Sequence, residues 1–161
     1  MKQEQKTLRL KSVPESINQL EILIEEVCDA HNLNQTYFGC ISVATIEAFQ
    51  NALIHGNQND PDKIIIVDFQ KTSTGVSFTV KDEGDGFDHL AIPDIKDDGK
   101  EKTFPGRGIF LIKSLSDNVT FNEKGNEVEI GFKTVGINIE TTIDRAQKFK
   151  VYKDSAQKIE K

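Results

Sequence analysis

Glu47 and Asn51 stand four residues apart in the stretch Ile-Glu-Ala-Phe-Gln-Asn-Ala-Leu-Ile-His-Gly-Asn, residues 46–57. On a helical period of 3.6, residues four apart nearly superpose, so both side chains project from one face. A carboxylate can accept a proton from a nucleophile. A neighbouring amide oxygen suits Mg²⁺, a hard ion that prefers oxygen donors and shared phosphates. His55 lies one turn further on, within an arc of about 80°, and reads as a structural or surface side chain with no catalytic role. Taken alone, the pair is read more simply as a solvated stripe.

Two glycine motifs follow. Lys81-Asp82-Glu83-Gly84-Asp85-Gly86-Phe87-Asp88 comes after a strand pattern. Gly84 and Gly86 permit positive φ and a close approach of ligand to backbone. Asp82, at the strand end, can accept a hydrogen bond from an exocyclic amine such as that of adenine. Gly106-Arg107-Gly108 opens a helix, where unpaired N–H groups and the dipole attract anions. Amides freed by the glycines can form a concavity for phosphate, and Arg107 either adds charge or points to solvent. Without a partner motif, each reads as a plain turn or helix entry. Other phosphate signatures are absent: Gly99-Lys100 is followed by Glu101, so no Gly-x-x-x-x-Gly-Lys-Ser/Thr loop exists, and there is no His-Arg-Asp triplet.

These residues need elements to hold them. Leu8 and Leu10 alternate with polar neighbours over 7–12, a short strand. Pro14 can begin a helix, and Ile17, Leu20, Leu23 and Val27 recur at helical spacing to about residue 31. Asn34 or Thr36 can cap a second helix, which reaches His55 and stops at Gly56. Residues 57–61 are turn chemistry. The run 63–70 and the segment 76–80 read as a hairpin, and 106–115 as a third helix. A last hairpin pairs 118–122 with 127–133. The polar stretch 89–105 has a length more often functional than structural. The order β, α, α, β, β, loop, α, β, β is α+β, with helices on one face of a mostly antiparallel sheet.

With 161 residues the chain is about one domain. We place that domain at 1–135 and a basic tail, helical or disordered, at 136–161. Residues 141–161 carry six basic and three acidic side chains, a net +3 that leaves −9 elsewhere in a chain of net charge −6. The tail reads as a solvated terminal helix, or as a segment that docks on an acidic partner surface. The overall negative charge argues against binding nucleic acid, where neutralising phosphate supplies most of the affinity. No apolar run approaches a membrane span, and Met1–Lys6 has no apolar core behind it, so a cytoplasmic location is expected. Cys28 and Cys40 lack neighbours for a zinc site and read as reduced, buried thiols.

Glu47-x-x-x-Asn51-Ala52, Asp82-x-Gly84-x-Gly86-Phe87 and Gly106-x-Gly108-Ile109 resemble the three boxes of the GHKL ATP-binding superfamily (gyrase, histidine kinase and MutL type). The likeness covers roughly residues 8–133. The small size and the lack of a histidine phosphoacceptor domain are similar to the bacterial anti-sigma factor serine/threonine kinases. The resemblance implies a two-layer α/β sandwich of Bergerat type, with ATP between the Glu47 helix and a lid at 89–105. It implies Glu47 as general base, Asn51 as the Mg²⁺ ligand and Asp82 as the adenine contact. Gly84 and Gly86 would shape the base pocket, and Gly106, Arg107 and Gly108 would meet the phosphates. It further implies a serine or threonine of a STAS-domain anti-anti-sigma protein as phosphate acceptor, a sigma factor as second partner, and a homodimer formed through the N-terminal region. Three other readings compete. They are an ATP-binding module that sequesters a partner without phosphotransfer, a gyrase-like ATP-hydrolysing machine, and a detached histidine kinase catalytic domain.

Overall fold

The computed structural model describes residues 4–88, 107–134 and 139–159. Five strands, β1 (Gln5–Lys11), β2 (Ile64–Lys71), β3 (Gly75–Lys81), β4 (Asn118–Phe121) and β5 (Glu127–Lys133), form one sheet in the order β1-β2-β3-β5-β4. Every pairing is antiparallel. Helices α1 (Ile17–Ala30), α2 (Gln35–Asn51) and α3 (Arg107–Leu115) accompany it, and a further helix, α4, spans Ile139–Ile159. The fold is the α+β sandwich read from the sequence.

The register explains why one face is dry. Val67, Val80, Val128 and Phe121 sit side by side across four strands, as do Phe69, Phe78, Ile130 and Val119. Alternate residues point the other way, so Thr7, Asp68, Thr79, Glu129 and Thr120 form a polar row on the opposite face. The apolar rows bury against Leu20, Leu23, Ile24 and Val27 of α1 and Ile41, Ala44, Ala48 and Phe49 of α2. Ile112 and Leu115 of α3 join the same core. A slip of one residue in any strand would exchange these faces, which pins the register.

Local chemistry sets the helix ends. Pro14 opens a short 3₁₀ turn, Pro14–Ser16, that leads into α1. Asn34 caps α2: its side-chain oxygen accepts the amide of Tyr37 at 3.0 Å.

The expected 89–105 lid and Gly106 lie outside the described residues. The tail is a helix, exposed along most of its described length and anchored at two points. Arg145 of α4 is buried and Phe149 half-buried, and α4 packs on α2 and α3. An Arg and a Phe four positions apart supply one anchoring face, a signal too sparse to mark an amphipathic pattern.

Candidate functional site

Helix α2 closes in a wide turn, Ala52–Gly56, in which the amide of Asn57 reaches back five residues to the Ala52 carbonyl at 2.7 Å. Such π turns are rare and concentrate at functional positions. The chain then reverses through Gln58 and Asn59, whose φ values of 53° and 58° are left-handed. Gly56 is therefore not needed for a positive φ. A Cβ there would lie 2.3 Å from Cγ of Asp82, so its bareness makes room for that carboxylate.

Asp82 follows β3 and is half-buried. Its carboxylate accepts the Gly84 amide at 2.8 Å. Burial pushes its pKa up, while the Gly84 N–H and the charges of Lys124 and Lys63 pull the other way. The two glycines of this turn do different work. Gly84 passes so close to α2 that a Cβ would stand 2.3 Å from the Gly56 carbonyl oxygen. Gly86 adopts φ +81°, the left-handed conformation that glycine accepts without strain.

The turn 82–88 is locked to the turn between β4 and β5. Asp82 N–H donates to the Asn126 carbonyl at 3.0 Å, and Nδ2 of Asn126 donates back to the Asp82 carbonyl at 3.0 Å. Oδ1 of Asn122 accepts the amides of Gly125, Asn126 and Glu127 at 2.7, 3.0 and 3.2 Å. Its Nδ2 donates to Oδ1 of Asn126 at 2.6 Å. Phe87 and Phe121 meet edge to face at 5.4 Å. On the other side, fully buried Asn57 donates to Ser12 Oγ at 2.7 Å and to the Ile64 carbonyl at 3.2 Å, and accepts the Glu83 amide at 2.8 Å. Sequence reasoning read Asn57 as turn chemistry and gave Asn122 and Asn126 no role. Asparagines in turns are common, and only their partners distinguish these three.

Between these parts lies a cavity of about 260 Å³. Ala48, Ala52, Val80, Ile109, Ile112 and Val128 give it apolar walls, while Asn51, Asp82 and Asn126 contribute polar groups. An apolar slot with the half-buried Asp82 carboxylate on its wall suits a flat base carrying an exocyclic amine. Exposed His55 stands at its border.

Glu47 and Asn51 do come together, and they face the start of α3. A Cβ on Gly108 would lie 3.1 Å from Glu47 Oε2, 3.1 Å from Asn51 Nδ2 and 3.2 Å from Asn51 Oδ1. The bare Gly108 thus leaves a cradle beside both polar groups. Arg107 is the first residue of α3; its side chain, like Gly106, lies outside the described residues. Among the described residues no three His, Cys, Asp or Glu side chains converge as a metal site. A cation held at Asn51 would therefore need oxygens from a ligand, as Mg²⁺ bound with phosphates does. Cys28 and Cys40 are free and buried. Burial pushes each thiol up to about 11, so both are inert at neutral pH.

A family profile described as "Histidine kinase-like ATPase domain" matches residues 10–132, which takes in the Glu47 helix, the Asp82 turn and the Gly108 helix. The chain belongs to the GHKL family of histidine kinase-like ATPases. Within it the chain groups with the anti-sigma factor members. It is 30% identical over 125 residues to "Anti-sigma F factor" of Clostridium perfringens (strain SM101 / Type A), covering 76% of this chain and 81% of that one. A second relative of the same name, from Anoxybacillus flavithermus, is 28% identical over 89 residues, covering 54% of this chain and 61% of its own. No helix among the described residues is long and apolar enough to cross a membrane.

Proposed function

We propose that the chain is an ATP-dependent serine/threonine-protein kinase that acts as an anti-sigma regulatory factor. Its substrate would be a serine or threonine of a STAS-domain anti-anti-sigma protein, and its second partner a sigma factor held until that protein displaces it. The reading is supported by the family and by the names of the relatives. The observation that carries it is the meeting of Glu47 and Asn51 beside bare Gly108, next to an apolar slot with Asp82 on its wall.

The roles follow from chemistry. Asp82, ionised, accepts the adenine amine, and the apolar walls exclude water from the base. Asn51 offers its amide oxygen to Mg²⁺. Bound there with the phosphate oxygens, the ion would neutralise charge that builds during transfer. Glu47 accepts the proton of the acceptor hydroxyl as that oxygen bonds to the γ-phosphorus. The bond from phosphorus to the β–γ bridging oxygen breaks, and ADP leaves. Gly106, Arg107 and Gly108 bring backbone amides and one cation to the phosphates. The protein does little covalent work, so positioning dominates. A homodimer and a cytoplasmic location complete the proposal.

The test is incubation with γ-labelled ATP, Mg²⁺ and STAS-domain proteins from the source cell. Label on a serine or threonine of the STAS protein, and none when that residue is alanine, is the expected result. ATP binding without transfer to any of them would instead mark a module that sequesters its partner.

A further inference from the structure

Helices α2 and α3 lie antiparallel. At one end Gly108 meets Glu47 and Asn51, while at the other Tyr37 of α2 and Asp117, just past α3, come together around Arg145 of α4. Ten residues of α2 separate Tyr37 from Glu47, about 15 Å of helix.

Arg145 is a buried cation held by three partners. Nη2 pairs with Asp117 Oδ2, and Nη1 donates to the Lys133 carbonyl at 3.0 Å. Its guanidinium carbon stands 5.2 Å from the centre of the Tyr37 ring. Asp117 in turn accepts the Lys133 amide at 2.7 Å. One turn further along α4, the Cζ end of the Phe149 ring packs against Gly39 of α2. A Cβ on Gly39 would come within 2.3 Å of Phe149 Cζ. Glycine is disfavoured inside a helix, and this ring is what its place in α2 accommodates. The Lys153 ammonium covers the same ring at 5.0 Å. The family match ends at residue 132, before α4 begins, so this helix adds to the matched domain a brace on the two helices that carry the site.

We infer that Arg145 is a positioning residue: by tying α4 to Tyr37, Asp117 and Lys133 it sets the seam between α2 and α3, and so the gap in which Glu47, Asn51 and Gly108 receive the phosphates. The inference rests on the proposed nucleotide site. Its corollary is reciprocal. If α4 docking tightens nucleotide binding, nucleotide must tighten α4 docking by the same factor.

The experiment uses the full chain and two variants. Arg145→Met removes the brace's charge. Gly39→Leu expels the Phe149 ring while favouring the helical state of α2, so it separates loss of α4 docking from loss of α2. ATP·Mg²⁺ affinity is measured by calorimetry at a temperature where circular dichroism shows each protein folded. Hydrogen exchange of residues 143–154 is followed with and without ATP·Mg²⁺. The expected result is an affinity loss of about tenfold in both variants, within the usual range for coupled sites. ATP should also slow exchange in α4 of the parent more than in β1, and should not do so in the variants. Parent-like affinity in both variants, or α4 exchange indifferent to ATP in the parent, overturns the inference and leaves the nucleotide site standing. Failure of the parent itself to bind ATP overturns the nucleotide site, and the inference with it.

Discussion

Asp82 and Asn126 clasp each other in both directions: the amide of Asp82 donates to the Asn126 carbonyl, and the Asn126 carboxamide donates to the Asp82 carbonyl, each at 3.0 Å. The aspartate whose side chain faces the cavity is thereby held by backbone contacts from a hairpin turn 44 residues away. Asn122 completes the clasp by accepting three amides of that turn.

Asn126→Ala removes one arm and leaves the Asp82 carbonyl and Asn122 Nδ2 without this partner. Loss of a buried hydrogen bond of this kind costs about 1–3 kcal/mol. Urea denaturation should show that loss, and nucleotide affinity should fall as the Asp82 turn loosens. A variant as stable as the parent would mean that the turn stands without the clasp.

Glu47→Gln should retain nucleotide binding and lose phosphotransfer by about 10²–10⁴-fold, the usual contribution of a general base. Asn51→Ala should weaken ATP binding only when Mg²⁺ is present. Paired calorimetry with and without EDTA, alongside a transfer assay, distinguishes the two roles. Normal turnover by Glu47→Gln would remove the base assignment.

Acidification should release nucleotide. Burial raises the pKa of Asp82 above its ordinary value of 3.8. The carboxylate that accepts the adenine amine is therefore lost, as pH falls, at a higher pH than an exposed aspartate would be. For folding the sign is opposite. Between the unfolded and folded values the native state holds a proton that the unfolded chain has released, so Asp82 opposes folding above that window and not below it. Affinity titrated downward from neutral pH should show the acid step in the parent at a higher pH than an exposed aspartate gives, and Asp82→Asn should bind weakly with no such step.

Gly84→Ala and Gly108→Ala should part company. The new Cβ at Gly84 meets a backbone oxygen at 2.3 Å, which nothing short of moving the chain relieves. A loss of about 1–3 kcal/mol in stability is expected. At Gly108 the nearest atoms to such a Cβ are the side-chain ends of Glu47 and Asn51 at 3.1–3.2 Å, which can shift. Stability should hold there while ATP affinity falls, a contrast that thermal melts and calorimetry would register.

Cys28 and Cys40, held neutral by burial up to about pH 11, should resist alkylation in the folded protein at pH 8 and react promptly in urea. Mass spectrometry of iodoacetamide-treated samples measures this. Rapid labelling of the folded chain would show that the core around α1 and α2 opens readily.

The amino-acid sequence by itself determined the elements, the α+β order and the three motifs. Those signals are local: period-two alternation of Leu8 and Leu10 over 7–12, the apolar run at 64–67, helical spacing in α1, and the glycines of 84–86 and 106–108. It also put Glu47 and Asn51 on one helical face, since four residues is one turn whatever the fold. It could not say that Gly56 yields its space to Asp82, since that depends on α2 ending where β3 ends, 26 residues later. Nor could it separate Asn57, Asn122 and Asn126 from ordinary turn asparagines, because their value lies in partners distant in the chain. The tail was the hardest part to read. Arg145 looks like one of six basic residues in 141–161 until tertiary packing buries it against Asp117 and Tyr37. A charge's meaning depends on what surrounds it, and only the folded chain supplies the surroundings.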